Sequence, residues 1–446
     1  MKSTGFALAP ENVLILPKDG VVNRWGSMPF LLWIATAGMP LQRSLEISQP
    51  IWTSEVHAST MAATSNASTL NSIPFVLFLL TLYTCAGLMV MSKPKTVFSM
   101  LSRQWPLLLL LLFVAASIAW SHNREKVLMN TVHNIGMLLI TLAAALRYRK
   151  EPWLLPRHIG YVLGANIALH LLAVLALPSY AIEWDGRWRG LTEQANGLGA
   201  IGLCAFWANA VTLIGTRNDK YHLHLAFALC AAIAMLGANS MTSVLSSCCA
   251  LLLILAFTGK TTRYRSGLRI FLGGLSAVFL VLAVGVMFLG NALDMGKLLG
   301  MAGRSGDFTG RTEIWTAALK AIATRPWVGW GFDDNAYLIQ TTDMPYTTYH
   351  NGYLDLMVRG GAIALGLFAL LLVKWLLELK KTAYVGVQLQ PFALPFILSM
   401  LLYNSTEATL VMPRDQMWLI FLVILFLGTC KRWPELGPVF LRRRQP

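Results

Sequence analysis

Long apolar runs with few charged residues are the feature that most constrains how this 446-residue chain can fold. Hydrophobic residues make up 56% of the sequence and charged residues only 13%, whereas soluble domains carry about 25% charged residues. Because a bilayer offers no water to backbone groups, a segment that crosses it must be a helix of about 20 residues or part of a closed barrel. The runs here have helical length, so the sequence predicts an all-α polytopic membrane protein.

Twelve apolar stretches have the length and composition of candidate transmembrane helices. The first is the weakest, because it is short and contains Pro29 and Pro40, and a re-entrant or interfacial segment is the alternative. The stretches lie near residues 28–42, 73–91, 104–120, 127–146, 158–178, 197–215, 223–239, 240–258, 269–290, 361–378, 390–410 and 416–430. We therefore expect about twelve spans.

The placement of Lys and Arg tests this segmentation, because short loops that carry them stay on the cytoplasmic side. With both termini in the cytoplasm, most of the 36 Lys and Arg residues fall in inside segments. The net charge of +15 therefore indicates membrane topology and argues against nucleic-acid binding. Basic clusters at 147–150 and 442–444 are expected to touch anionic lipids.

The segmentation divides the chain into five parts. They are a cytoplasmic segment 1–27, a first membrane block 28–290 of about nine helices, a long outward loop 291–360, a block 361–430 of three helices, and a basic cytoplasmic tail 431–446. Most other loops are short, and long ordered loops usually carry function. We therefore expect the site in the long loop.

The long loop contains three motifs with chemistry-bearing residues. Residues 310–315 open a helical pattern that predicts an amphipathic helix on the membrane face, with a helix that only covers the bundle as the alternative. Residues 325–332 place glycines between aromatic residues, which allows close backbone approach to a ligand and offers Trp330 for stacking on sugars. Residues 349–354 contain His350, which can take a proton from a hydroxyl group, although a lone loop histidine is more often a bystander.

Two further outward features carry charge. The 179–196 loop contains Arg187 and Arg189, whose planar guanidinium groups suit a diphosphate or an anionic headgroup; an interfacial anchor is the alternative. Glu407 lies with Asn404 in the outer turn after the eleventh stretch. A carboxylate at that depth must pair with a cation or face a cavity, unless the stretch ends earlier and leaves Glu407 exposed.

The motifs in this order resemble the signature region of the bacterial O-antigen ligase and O-antigen polymerase superfamily. They are GRTEIW at 310–315, RPWVGWGF at 325–332, YHNGYL at 349–354 and RGG at 359–361. The run WRGLTEQANGLG at 188–199 is similar to a second family motif, in the form typical of succinoglycan-type exopolysaccharide polymerases.

The resemblance implies a GT-C-like, inverting membrane glycosyltransferase of the bacterial inner (cytoplasmic) membrane, with the long loop on the periplasmic side. Its donor would be a glycan on undecaprenyl diphosphate. Its acceptor would be a second lipid-linked glycan for a polymerase or lipid A-core for a ligase, and a chain-length regulator is a further partner. It implies no cofactor and no divalent metal, and the sequence indeed has no D-x-D motif and no Cys/His cluster with zinc spacing.

Particular residues match the positions of the family motifs. By the resemblance, His350 would activate the acceptor hydroxyl, while Arg311 and Arg189 would neutralise the leaving diphosphate; Arg187 is a rival for the place of Arg189. The remaining expected substrate-binding residues are Asn196, Trp315, Trp330, Tyr349, Asn351 and Glu407.

A transporter, such as a polysaccharide flippase, is the competing class. It would carry ionisable residues at mid-depth inside its spans, and His133, His158, His170 and Lys374 are the candidates. The histidines can instead be buried and hydrogen-bonded, and Lys374 can extend to the membrane surface.

Overall fold

The structure, a computed structural model, describes residues 25–36, 73–215, 220–258, 311–333, 348–381 and 383–429. Within these ranges the chain is helical, with one isolated antiparallel bridge between Ile182 and Trp188 and no strand. The predicted all-α class is confirmed. The stretch 269–290 and the tail 431–446 lie outside the described residues.

Most described helices follow the predicted apolar runs. In chain order the helices are α1 (Met28–Ala35), α2 (Ile73–Met91), α3 (Pro94–Arg103), α4 (Trp105–Ala116), α5 (Arg124–Tyr148), α6 (Leu154–Ala176), α7 (Pro178–Ala181), α8 (Ala195–Gly215), α9 (Tyr221–Gly237), α10 (Met241–Thr258), α11 (Arg311–Thr324), α12 (Gly352–Lys381), α13 (Ala383–Tyr403) and α14 (Gln416–Leu427). However, α12 and α13 begin several residues before the predicted stretches 361–378 and 390–410, and α3 lies in a predicted loop. A short 3₁₀ helix, Ser117–Ala119, follows α4.

Four described helices are long and apolar enough to cross a membrane: α5, α6, α8 and the Gly352–Leu379 part of α12. A fifth span results if α2 and α3, which are bent by 101° at their junction, count as one. Several other apolar helices, including α4, α9 and α14, have 10–17 residues. The chain is thus a membrane protein with several spans, and the number twelve stays a prediction.

The eleventh predicted stretch, 390–410, is too long at its end. Helix α13 ends at Tyr403, and the next residue reverses the chain. The Asn404 side chain donates to the Met400 carbonyl oxygen at 2.8 Å and accepts from the Thr409 backbone N–H at 2.8 Å. The Asn404 side chain thus satisfies a carbonyl oxygen in the last turn of the helix and a backbone N–H in the turn that follows, so the helix can end here without leaving these groups unpaired.

The 325–332 segment packs against a kink in α12. The kink lies at Gly361, which has φ of +60°, and the Gly331 N–H donates to the Arg359 carbonyl oxygen at 2.9 Å. Gly329 has φ of +65°, and a Cβ atom there would overlap the backbone of Arg359. The close approach that these glycines permit is therefore to the protein's own backbone.

Helix α11 covers the N-terminal end of α12. Its side chains Ile314, Ala318 and Ile322 are buried in one cluster with Tyr349 and Val358. The apolar stripe seen in the sequence thus packs on the bundle, as one of the two sequence interpretations expects. This packing brings α11 beside the turn that carries His350.

Candidate active site

His350 lies in a tight turn before α12 that is docked on the turn after α13. Its φ of +46° is left-handed, a conformation that non-glycine residues seldom adopt and that is often found at functional sites. The Gly352 N–H donates to the carbonyl oxygens of both Asn404 and Glu407 at 2.8 Å. The Asn351 side-chain amide donates to the same turn at 2.9 Å. Two segments that are distant in sequence are thereby held face to face.

Glu407 is the partner of His350. Its Oε2 lies 3.2 Å from His350 Nδ1, and 27% of the histidine side chain is exposed against 11% for the glutamate. When Nδ1 donates to the carboxylate, Nε2 is left unprotonated and able to accept a proton. The imidazole is therefore oriented by a nearly buried group and still reachable from outside.

The second oxygen of Glu407 continues the contact toward the 179–196 loop. Asn196 Nδ2 donates to Glu407 Oε1 at 2.8 Å, and Arg187 Nη2 donates to Asn196 Oδ1 at 2.5 Å. We call the four residues Arg187, Asn196, Glu407 and His350 the Arg187–His350 network. It joins three predicted site segments into one hydrogen-bonded unit.

The two rival arginines have different surroundings. Arg187 is half-buried, and besides Asn196 its Nε donates to the Ala238 carbonyl oxygen at 3.1 Å. Arg189 is buried, its Nε donates to the Tyr180 carbonyl oxygen at 2.6 Å, and its guanidinium lies 4.8 Å from the centre of the Tyr180 ring. Arg187 belongs to the network, whereas the guanidinium of Arg189 contacts Tyr180.

His170, a residue that sequence reasoning assigned only to the transporter alternative, supports this loop. It is fully buried, and its Nδ1 accepts the Leu191 N–H at 2.9 Å. Gly190 has φ of +58°, and a Cβ atom there would lie 2.8 Å from His170 Nδ1. A histidine within an apolar helix pattern has no local signal that marks such a role, because its partner is 21 residues away.

The other predicted site residues surround the His350 turn. Trp315 Nε1 donates to the Tyr349 carbonyl oxygen at 3.1 Å, and burial raises the pKa of Tyr349 to about 12. Trp330 Nε1 donates to a carbonyl oxygen of α11, and the Arg325 guanidinium lies 4.2 Å from the centre of its ring. Arg311 is the first residue of α11, and its side chain lies outside the described part of the chain.

A cavity of about 260 Å³ opens beside the network. Residues 191–201 line one side and residues 403–416 the other, and both Asn196 and Glu407 contribute to the wall. Asp415 also lines it, and burial raises the pKa of this carboxyl group to about 7. The same side chain caps α14 by accepting the Trp418 N–H at 2.9 Å.

Comparison with known proteins shows which proteins the chain is similar to. Residues 226–369 match the family model described as O-antigen ligase. The exopolysaccharide production protein ExoQ of Rhizobium meliloti (strain 1021) is 28% identical over 238 residues, which cover 48% of this chain and 52% of the relative. In these regions the chain is similar to the O-antigen ligase and polymerase family. It spans about half the length of the curated relative that it matches.

The family region contains only part of the network. Residues 226–369 include His350, Trp330 and Arg311, whereas Arg187, Asn196 and Glu407 lie outside it. The network thus ties the family region to two flanking segments of the chain. Among the described residues, no group of three or more His, Cys, Asp or Glu side chains could hold a metal ion, and metal independence stays a prediction.

Proposed function

We propose that this chain is a member of the O-antigen ligase and polymerase family, and that it is an inverting glycosyltransferase that polymerises repeat units carried on undecaprenyl diphosphate into a surface polysaccharide. The observation that carries the proposal is the Arg187–His350 network, which connects a proton acceptor to a cation through hydrogen bonds. The relative is named an exopolysaccharide production protein, and this name supports a polymer product. The proposal includes about twelve spans in the bacterial inner membrane, a periplasmic site in the 291–360 loop, and the five-part organisation given above.

His350 acts as the base in the proposed reaction. Nε2 takes the proton of an acceptor sugar hydroxyl, whose oxygen attacks the anomeric carbon on the face opposite the diphosphate. The bond from the anomeric carbon to the phosphate oxygen breaks, the diphosphate leaves with the electron pair, and the anomeric centre inverts. Glu407 stabilises the imidazolium that forms and keeps its ring oriented.

Arginines neutralise the charge that develops on the leaving diphosphate, so the reaction needs no metal. Arg311 and one arginine of the 179–196 loop, either Arg187 or its rival Arg189, are the proposed cations, because guanidinium groups match phosphate oxygens as paired donors. Arg187 is the stronger candidate in its loop, because it is half-buried and hydrogen-bonded to the network. Tyr349, Asn351 and Trp315 hold the His350 turn, and the Trp330 ring contacts sugar.

Transfer of the glycan to lipid A-core is the second candidate function. The matched family model is described as O-antigen ligase, and a ligase would use the same donor and the same chemistry. Deletion of the gene separates the two. Loss of a surface polymer with intact lipopolysaccharide supports the polymerase, whereas bare core with accumulated lipid-linked chains supports the ligase.

The test of the enzyme is polymer synthesis by the purified protein in lipid nanodiscs with lipid-linked repeat units. His350→Ala is expected to lower the rate by about 10²–10⁴-fold, the usual effect of losing a general base, without reducing the yield of folded protein. The exposed His122 is the matched control, and His122→Ala should retain activity. Polymer made at the normal rate by His350→Ala would contradict the proposal. So would a loss of wild-type activity on treatment with EDTA that a divalent metal restores.

A further inference from the structure

The cavity beside the network has a distinctive charge. Three acidic residues line it, Glu193, Glu407 and Asp415, together with amide and hydroxyl side chains such as Gln194 and Thr409. Because burial raises the pKa of Asp415 to about 7, this residue carries its negative charge mainly above pH 7. None of the described lining residues is Arg or Lys. A cavity of this kind repels phosphate groups, so it does not suit the diphosphate that the arginines are proposed to bind.

The same lining suits a neutral sugar. Carboxylate and amide oxygens accept hydrogen bonds from hydroxyl groups, and bonds to a charged acceptor are stronger than neutral ones. The volume of about 260 Å³ equals that of roughly nine water molecules. This is enough space for one sugar ring.

We propose that this cavity is a subsite for one uncharged pyranose of the glycan, and that its carboxylates exclude acidic sugars. The inference rests on the proposed function for its substrate class. Glu407 links the subsite to catalysis, because its Oε1 faces Asn196 and its Oε2 faces His350. A sugar in the cavity therefore contacts a residue that orients the base.

Binding of simple glycosides tests the charge selection. The probes are methyl β-glycopyranosides of the gluco and galacto series and their uronate analogues, in which a carboxylate replaces the C6 hydroxymethyl group. We expect the full-length protein in nanodiscs at pH 8, where Asp415 is mostly ionised, to bind a neutral glycoside at least tenfold more tightly than its uronate, measured by saturation-transfer NMR. The double variant Glu193→Gln/Asp415→Asn should reduce this ratio to about threefold or less.

The variants are chosen to keep the fold. Asn is as good a helix N-cap as Asp, so Asp415→Asn retains the cap of α14. Glu125 is exposed at the start of α5 and does not line the cavity, so the control Glu125→Gln removes one charge and should leave the ratio unchanged. Equal binding of neutral and acidic glycosides, no binding in either series, or the same change in Glu125→Gln would overturn the subsite.

The readout also separates the subsite from the proposed function. Equilibrium binding of a glycoside needs no transfer step. A protein that selects neutral sugars but makes no polymer from lipid-linked repeat units would refute the proposed function and leave the subsite standing. A protein that makes polymer but shows no charge selection would refute the subsite alone.

Discussion

Replacing Glu407 by Gln is the sharpest test of the network, because the change keeps the shape of the side chain and removes its charge. The protonated His350 and Glu407 would be 3.2 Å apart. At an effective dielectric constant of about 20 this pair is worth roughly 5 kcal/mol. Solvent screens part of this attraction, since 27% of the histidine side chain is exposed. We therefore take about half of the energy as the interaction that Glu407→Gln removes.

The expected result is a fall in kcat of about 10²-fold, since each 1.4 kcal/mol is a factor of ten. The KM for the lipid-linked donor should change less than kcat, because the larger part of the lost interaction, the ion pair with His350, strengthens only as the imidazolium forms. Initial rates of polymer formation in nanodiscs measure both constants. A rate within threefold of the wild-type rate, in a variant with an unchanged melting temperature, would refute the role of Glu407. Glu125→Gln is the matched control.

Three further predictions concern neighbouring groups. Arg187→Ala should lower the rate about 10²–10³-fold with little rescue by Arg187→Lys, whereas Arg189→Ala should mainly lower thermal stability; equal rate losses at unchanged stability would contradict the distinction. Gly190→Ala should lower the free energy of unfolding by more than about 1 kcal/mol, measured by thermal unfolding, because a methyl group meets the His170 ring at a left-handed φ. Asp415 has a pKa of about 7 against an ordinary 3.8, so between these pH values the folded state keeps a proton that the unfolded state releases. The free energy of unfolding of the wild type should therefore fall, relative to that of Asp415→Asn, as the pH rises from about 4 to about 7. Parallel curves of stability against pH for the two proteins would refute this.

Much of the fold follows from local patterns. Apolar runs of helical length predict helices such as α2, α8 and α10 to within a few residues, because the bilayer leaves the backbone no other way to satisfy its polar groups. The helix over Arg311–Thr324 and its end before Pro326 follow from the same rules, since proline cannot continue a helix interior. Boundaries at polar turns, as after Tyr403, depend on side-chain contacts that composition does not report.

The site was only partly accessible to such patterns. Short motifs pointed to His350, Arg187, Asn196 and Glu407 separately, and left open which of them belong together. His170 carried no functional motif at all. Its role depends on a backbone N–H in a different segment.

The amino-acid sequence by itself determined the membrane character, the positions of the helices and the residue types available for chemistry, because these depend on neighbours a few positions apart. Only the tertiary structure decided that Glu407 bonds His350, 57 positions away, and Asn196, 211 positions away. Such pairings are set by how helices pack and where their end turns meet. No local periodicity contains that information.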